Sequence, residues 1–228
     1  SGCHGINPAS NRRVRHSART PRGSGWSRVL GQNGIVNTEA VQMFSALLAV
    51  GAIAGLMVLL ACLLVRAGGG FGASLVAVVR ENAMRFTLLL AGTAMAGSLY
   101  FSEAANYAPC KLCWYQRICM YPIAIVSLVG VIRRESFPKV RMLAPYVMTL
   151  SVTGMCVSTY HYVLEWFPQL ETSVCSLDVP CTTVWFREFG FLTLPGMAWV
   201  TFASVSAVMF VVLRSAHDPG SEPTIEGA

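Results

Sequence analysis

The sequence has little charge and long stretches that contain none. Only 12% of its 228 residues are charged and 54% are hydrophobic, whereas ordinary soluble domains carry about 25% charged residues. The run from Met43 to Val65 has no charged residue, and a helix needs about 20 apolar residues to cross a bilayer. This composition excludes an ordinary soluble domain and predicts an integral membrane protein.

The motifs of many soluble enzymes are also missing. The chain contains no glycine-rich phosphate loop, no nucleophile elbow, no internal repeat and no C-x-x-C-H haem attachment sequence. A four-cysteine zinc site needs a second closely spaced pair, but Cys175 and Cys181 are spaced more loosely than is usual for zinc. We therefore expect no metal site.

The net charge of +6 comes mostly from one end of the chain. Six arginines lie in the first 42 residues against one acid, Glu39. Nucleic-acid-binding segments typically interleave aromatic residues with basic ones. Here Trp26 is the only aromatic residue among the arginines. We expect no nucleic-acid binding and interpret this segment as a tail that faces solvent or anionic lipid.

Five apolar runs are long enough to be tested as membrane spans. They are Met43 to Val65, Phe86 to about Ala108, Trp114 to Ile132, Met142 to Leu164 and Phe189 to Leu213. The second run qualifies if Glu103 lies at the headgroups, and the third if Arg117 lies near the interface, where long side chains reach polar surroundings. The sequence predicts an all-α integral membrane protein, a four-transmembrane-helix bundle with an additional N-terminal transmembrane helix.

These spans divide the chain into five parts. We expect a basic, disordered tail at 1–42, the extra helix at 43–65, a cytoplasmic connection at 66–83, the bundle at 84–214 and a cytoplasmic tail at 215–228. The apolar piece at 71–79 is too short to span and is expected to lie at the interface or to extend the next helix. Basic residues in the connections at 66–85 and 133–141 place both in the cytoplasm. The segments around 104–113 and 165–188 then face the extracytoplasmic side.

The cysteines fall into two kinds. Cys62, Cys119 and Cys156 lie inside apolar runs, where free cysteine usually packs as a small hydrophobic residue. The other four outside the N-terminal tail lie at helix ends or in loops on the predicted extracytoplasmic side: Cys110, Cys113, Cys175 and Cys181. Structural disulfides are common in that oxidising compartment. For the second pair alone, a purely structural disulfide is as reasonable as a functional one.

The first pair has the spacing of a redox site. A C-x-x-C sequence at a helix start gives an easily cycled thiol pair, because the helix N-terminus and a nearby cation stabilise the thiolate. Cys113 and Arg117 are separated by one helical turn and share a face. A buried arginine needs an anionic or polar partner, which a thiolate or a cofactor oxygen would provide. The electron acceptor within reach is a lipid-soluble quinone. Three aromatic residues could surround it or simply form an interfacial belt: Trp114, Tyr115 and Tyr121.

Two stretches resemble a known family. "PCKLCWYQRICMYP" and "VCSLDVPCTTVWFREFGFLTLPGMAW" are similar to the signatures of the disulfide bond formation protein B family, DsbB, and most closely to its BdbC-type members. The resemblance covers roughly residues 84 to 213. It implies a four-helix bundle in the bacterial cytoplasmic membrane that reoxidises a thioredoxin-fold, DsbA-like dithiol oxidase and passes the electrons to ubiquinone or menaquinone.

The resemblance also implies roles for individual residues. Cys113 resembles the quinone-proximal cysteine, Cys110 its disulfide partner, and Arg117 the arginine that supports quinone reduction. Cys175 resembles the cysteine that forms the mixed disulfide with the partner, and Cys181 the one that relays to the first pair. His161 lies where some members have a histidine close to the quinone, although an interfacial histidine facing the bundle is an equally good interpretation.

Two other functions remain possible from the sequence. A vitamin K epoxide reductase-like protein uses similar chemistry, but its loop cysteines precede the C-x-x-C, whereas here they follow it. The second alternative function is that of a membrane scaffold or small transporter with structural disulfides. The spans contain neither paired acids nor clearly broken helices, and this argues against transport.

Overall fold

The computed structural model describes residues 37–64, 70–171, 175 and 179–214, and the described part is built from helices. The predicted C-terminal tail and nearly all of the predicted N-terminal tail lie outside these residues. The main helices are α1 (Thr38–Leu64), α2 (Phe71–Glu81), α3 (Ala83–Leu99), α4 (Lys111–Ile132), α5 (Phe137–Trp166) and α6 (Leu194–Arg214).

Four of these helices are long and apolar enough to cross a membrane: α1, α4, α5 and α6. The remaining predicted span is α3, which has 17 residues and continues into a π-helical turn, Tyr100–Ala104. Together the two segments rise about 33 Å at 1.5 Å per residue, similar to the thickness of the hydrocarbon core. The chain is therefore an all-helical membrane protein in which a bundle follows an additional N-terminal helix.

Local sequence explains where the helices begin. Cys110 caps α4, and its sulfur accepts a hydrogen bond from the Cys113 backbone N–H. The last helix begins at Leu194 and not at Phe189 as predicted. Phe189 and Gly190 have φ angles of 52° and 79°, a left-handed turn that cannot continue a helix. Thr193 then accepts a hydrogen bond from the backbone N–H of Gly196, which satisfies one of the unpaired donors of the first turn.

The bundle is held together by close contact between α5 and α6. A Cβ added to Gly154 would lie 2.3 Å from the Phe202 ring, which is fully buried, so only glycine allows this approach. The hydroxyls of Ser151 and Ser206 lie 2.8 Å apart across the same interface. Small residues and interhelical hydrogen bonds are the usual means by which membrane helices associate.

The up-and-down helix order places all four predicted site cysteines at one end of the bundle, called here the cysteine end. It comprises residues 105–113 and the described part of 167–193. The opposite end carries Arg133 and Lys139, whose side chains lie 3.4 and 3.0 Å from the carboxylate of Glu135. The apolar piece at 71–79, expected at the interface or as an extension of the next helix, belongs to the separate helix α2, which ends beside Asn82.

The three cysteines predicted to pack in the bundle have different surroundings. Cys119 is buried in the main core and Cys62 is half-buried, but Cys156 is exposed. Its position on α5 faces away from the neighbouring helices. The prediction that Cys156 packs inside the bundle was wrong, because an apolar run does not reveal which face of a helix meets protein and which meets lipid.

Candidate functional site

The C-x-x-C pair lies at the first turn of α4. Cys110 is buried and Cys113 is half-buried, and both are free thiols whose sulfurs lie 3.1 Å apart. Pro109 precedes the pair, and the positive φ of Asn106, 58°, turns the chain from α3 into α4. The two sulfurs are therefore close enough to form a disulfide with little backbone movement.

His161 reaches this pair from α5. Its Nε2 atom lies 3.6 Å from the Cys110 sulfur, and its Nδ1 atom lies 3.2 Å from the side-chain nitrogen of Gln116. Because the Gln116 amide nitrogen can only donate, Nδ1 is the acceptor. The ring proton is then on Nε2, where it can be donated to the Cys110 sulfur.

This arrangement favours the thiolate of Cys110. The pKa of Cys110 lies well below the usual thiol value, first because its sulfur shares a hydrogen bond with the Cys113 thiol and next because the His161 ring contacts it. Burial opposes this shift by disfavouring the charged form. A thiol with a lowered pKa is a reactive one, since the thiolate is the nucleophile.

Arg117 is buried one turn below Cys113. Its side chain is only 9% exposed, and it donates hydrogen bonds from Nε to the Ser98 hydroxyl and from a terminal nitrogen to the Ser98 carbonyl, each 3.0 Å long. The guanidinium also lies 5.1 Å from the centre of the Trp114 ring. None of the carboxylates in the described residues forms an ion pair with it. Two of its five N–H groups are thus used, and the other three have no hydrogen-bond acceptor among the described residues.

A cavity of about 190 Å³, called here the large cavity, lies beside Cys113 and Arg117. Helices α1, α3, α4 and α6 form its walls, and Tyr107 and Trp185 lie at the cysteine end of it. The lining is mostly apolar with a few polar groups, as is typical of small-molecule sites. One of these groups is the Tyr121 hydroxyl, which is buried without a hydrogen-bond partner among the described residues.

The three aromatic residues predicted for this site lie in two different environments. Tyr121 lines the large cavity. Trp114 and Tyr115 are 52% and 46% exposed and do not belong to the described lining of that cavity. Their positions match the alternative interpretation, an interfacial belt.

The second cysteine pair packs against the first. Cys175 and Cys181 form a disulfide, and Cys181 is fully buried in one apolar cluster with Cys110 and Leu164. Cys175 is half-buried, so it is the more accessible of the two. The fold therefore brings all four predicted cysteines together at the cysteine end.

A second, small cavity lies between the C-x-x-C pair and the segment that carries Val179 and Pro180. Its volume of about 10 Å³ is near the smallest space that holds a water molecule. Its lining includes Cys110, Cys113, His161 and Glu165. His161 is absent from the described lining of the large cavity, but its hydrogen-bond partner Gln116 lines that cavity.

Sequence reasoning missed several side chains of this site. Glu165 begins the segment that was predicted to face the extracytoplasmic side, yet it is buried, and its Oε2 atom has no hydrogen-bond partner in the described structure. Its spacing of four residues from His161 could have revealed it, since residues four apart share a helical face. Gln116 and Ser98 had no such signal, because each is defined by a contact with another helix.

Three ligand atoms here could also contact a metal ion. The sulfurs of Cys110 and Cys113 and a ring nitrogen of His161 lie within 4.8 Å of one another. Metal binding requires both thiolates to stay reduced. It would therefore compete with disulfide formation by the same pair.

Comparison with known proteins identifies the family. The family model for disulfide bond formation protein DsbB matches residues 80–212. A probable disulfide formation protein C of Halalkalibacterium halodurans is 39% identical over 135 residues, which are 59% of this chain and 95% of that protein. A probable disulfide formation protein of Oceanobacillus iheyensis is 37% identical over 136 residues, 59% of this chain and 90% of that protein.

A third relative has a lower sequence identity. A probable disulfide formation protein of Chlamydia caviae is 32% identical over 133 residues, covering 58% of this chain and 93% of that protein. No solved structure matches the chain. The matched region contains all four site cysteines with Arg117 and His161, and it begins after α1. A membrane bundle with two adjoining cysteine pairs, matched over more than half its length by one family model, makes this chain a member of the DsbB family of disulfide formation proteins.

Proposed function

We propose that the protein is a thiol:quinone oxidoreductase that reoxidises a thioredoxin-fold dithiol oxidase and passes the electrons to ubiquinone or menaquinone. The observation that carries this proposal is the position of Cys113. It contributes to the apolar cluster of the two cysteine pairs and also lines the large cavity beside Arg117. One cysteine thus joins a thiol relay to a site of suitable size and polarity for a quinone ring.

Electrons enter through Cys175. A thiolate of the partner attacks the Cys175 sulfur, the bond to Cys181 breaks, and Cys181 leaves as a thiolate. The second partner thiol then attacks the mixed disulfide, so that the partner is oxidised and Cys175 is released as a thiol. The greater exposure of Cys175 and the complete burial of Cys181 support this order.

The electrons pass inward from Cys181 to Cys110. With the C-x-x-C pair oxidised, the Cys181 thiolate attacks Cys110 and releases Cys113 as a thiolate. Cys175 then attacks Cys181, which restores the outer disulfide and leaves Cys110 reduced. Shared packing of Cys110 and Cys181 in one cluster supports this exchange. His161 can donate a hydrogen bond to the Cys110 sulfur as it becomes a thiolate.

The C-x-x-C pair delivers the electrons at the large cavity. As its disulfide re-forms, the pair loses two electrons and two protons, and a quinone takes them up to become the quinol. Arg117 has N–H groups left for an acceptor there, and the unpartnered Tyr121 hydroxyl offers a second contact. A charge-assisted hydrogen bond from an arginine stabilises negative charge on such an oxygen.

The cysteine end is expected to face the extracytoplasmic side of a bacterial cytoplasmic membrane. Basic residues at the opposite end support this orientation under the positive-inside rule: Arg80, Arg85, Arg133, Arg134, Lys139, Arg141 and Arg214. In intact cells, a membrane-impermeant maleimide applied after reduction should label Cys175. Labelling only after the membrane is permeabilised would contradict this orientation.

The reaction is tested by anaerobic mixing of the purified protein, a reduced C-x-x-C partner and ubiquinone or menaquinone. We expect loss of the oxidised quinone absorbance in proportion to partner disulfide formed, and only when all three are present. Cys113→Ala should abolish quinone reduction, whereas Cys119→Ala, a buried thiol on the same helix, should not. Partner oxidation without any quinone reduction would refute the proposal.

A further inference from the structure

Helix α1 lies outside the family region, yet it packs on the bundle. The family model begins at residue 80, whereas α1 spans Thr38–Leu64. Its buried residues Ala46 and Ala49 form an apolar cluster with Leu192, which precedes α6, and with Met197 in the first turn of α6. Helix α1 is therefore packed as part of this protein's bundle.

One face of α1 forms part of the large cavity wall. Ser45, Leu48, Ala49 and Ala52 all line it, and their spacing places them on one stripe of the helix. Three of these four side chains are small. Larger side chains of α1, such as Leu47 and Met57, are exposed on other faces, at 55% and 62%.

The cysteine end of α1 is attached to the top of the same cavity. The side-chain nitrogen of Gln42 donates a hydrogen bond of 2.7 Å to the Tyr107 hydroxyl. The Tyr107 ring stacks on Trp185 and on Phe101, with centroid distances of 4.7 and 5.8 Å. All three aromatic residues line the cavity, so this contact sets the register of α1 against it.

The register shows how deep α1 reaches. Ala52 lies ten residues after Gln42, or about 15 Å along the helix axis. Tyr121 lies eight residues after Cys113 on α4, or about 12 Å along a helix that also starts at the cysteine end. Ala52 is therefore at a depth similar to that of Tyr121, which is farther from the cysteine end than the Cys113 thiol.

We propose that α1 is a wall of the quinone site and that its small residues, Ser45, Ala49 and Ala52, determine which quinone fits. This inference rests on the proposed function. Cys113 and Arg117 meet the ring, and the apolar space beyond them accommodates the start of the isoprenoid tail against α1. The site of this protein is thus assembled from the family bundle and from a helix that the family region does not contain.

The test compares two substitutions on the same helix. Ala52→Phe places a ring in the cavity, whereas Ala54→Phe adds the same ring at an exposed position. Overpacking raises the KM of Ala52→Phe for ubiquinone about tenfold, while Ala54→Phe stays within about twofold of the unsubstituted protein. The KM for the reduced partner should change in neither variant. Equal quinone KM values in the two variants would overturn the inference.

A labelling experiment keeps the inference testable if Ala52→Phe fails to fold. The unsubstituted protein is irradiated with a ubiquinone analogue that carries a photoreactive azide on its tail, and labelled peptides are identified by mass spectrometry. Label is expected on the peptide that contains Ser45 to Ala52, and excess ubiquinone should suppress it. Label on α4 and α6 without any on α1 would overturn the inference and leave the proposed function intact. If the unsubstituted protein neither binds nor reduces quinone, the proposed function fails and this inference fails with it.

Discussion

Replacement of Arg117 tests the proposed quinone site most directly. The guanidinium is buried beside Cys113, and it has no carboxylate ion-pair partner among the described residues. Two of its N–H groups are bonded to Ser98, which leaves others for an acceptor in the large cavity. Arg117→Met removes the charge and all of these donors while keeping an unbranched apolar chain.

The expected loss follows from the hydrogen bond that Arg117 can make. A hydrogen bond to a charged group contributes about 1.5 to 3 kcal/mol, or roughly a ten- to hundredfold effect. Arg117→Met and Arg117→His should therefore raise the KM for quinone by this factor and leave the KM for the partner unchanged. Arg117→Lys should be partly active, because it keeps the charge but loses the planar group that contacts two acceptors.

Ser98→Ala provides a graded control. It removes the hydroxyl that orients Arg117 but keeps the backbone carbonyl contact, so a loss of about 1 kcal/mol is expected, or roughly fivefold in the quinone KM. Steady-state rates over a quinone concentration series, with matched amounts of folded protein, give these values. If Arg117 only anchors its helix to lipid phosphate, the variants will insert poorly, and the protein that folds will have an unchanged quinone KM. That result would refute the reasoning.

Three further predictions concern the cysteines and His161. Cys175→Ala should abolish oxidation of the partner while quinone still oxidises the C-x-x-C pair, as measured by alkylation trapping; unchanged partner oxidation would show that electrons enter elsewhere. Turnover should stay nearly unchanged at equal expression when a cysteine outside the site is replaced, in Cys62→Ala, Cys119→Ala and Cys156→Ala. A large loss of turnover in any of these variants would reveal a missed function. His161→Phe removes a contact that lowers the pKa of Cys110, so the pKa should rise, and the pH midpoint of Cys110 alkylation in the reduced protein should move upward. Thr159→Val, at an exposed position of the same helix, is the control, and an equal midpoint in both variants would contradict the role of His161.

Helical periodicity explains the parts of the site that the sequence predicted. Cys113 and Arg117 were expected on one face of a helix, and both line the large cavity. The C-x-x-C pair was expected at a helix start, and Cys110 caps that helix. These features depend on residues within a few positions of each other, where spacing alone determines relative position.

Contacts between distant segments could not be predicted in this way. The sequence required a polar partner for Arg117 but did not identify Ser98, which lies on another helix. It also treated α1 as a separate helix, whereas Gln42 contacts Tyr107 across 65 residues of sequence. Apolar membrane helices have no strong polar stripe to show which faces meet, so such contacts follow only from the packed structure.

The division of the C-x-x-C pair between two environments accounts for the order of the proposed reactions. Cys110 is packed with the second pair and His161, while Cys113 lines the large cavity with Arg117. Under the proposed function, a protein partner too large to enter the bundle meets the outer disulfide, and a quinone in the large cavity meets Cys113. In the proposed relay the electrons pass through both pairs in sequence, and Cys113, which lies in the cluster of the two pairs and also lines the large cavity, joins that relay to the quinone.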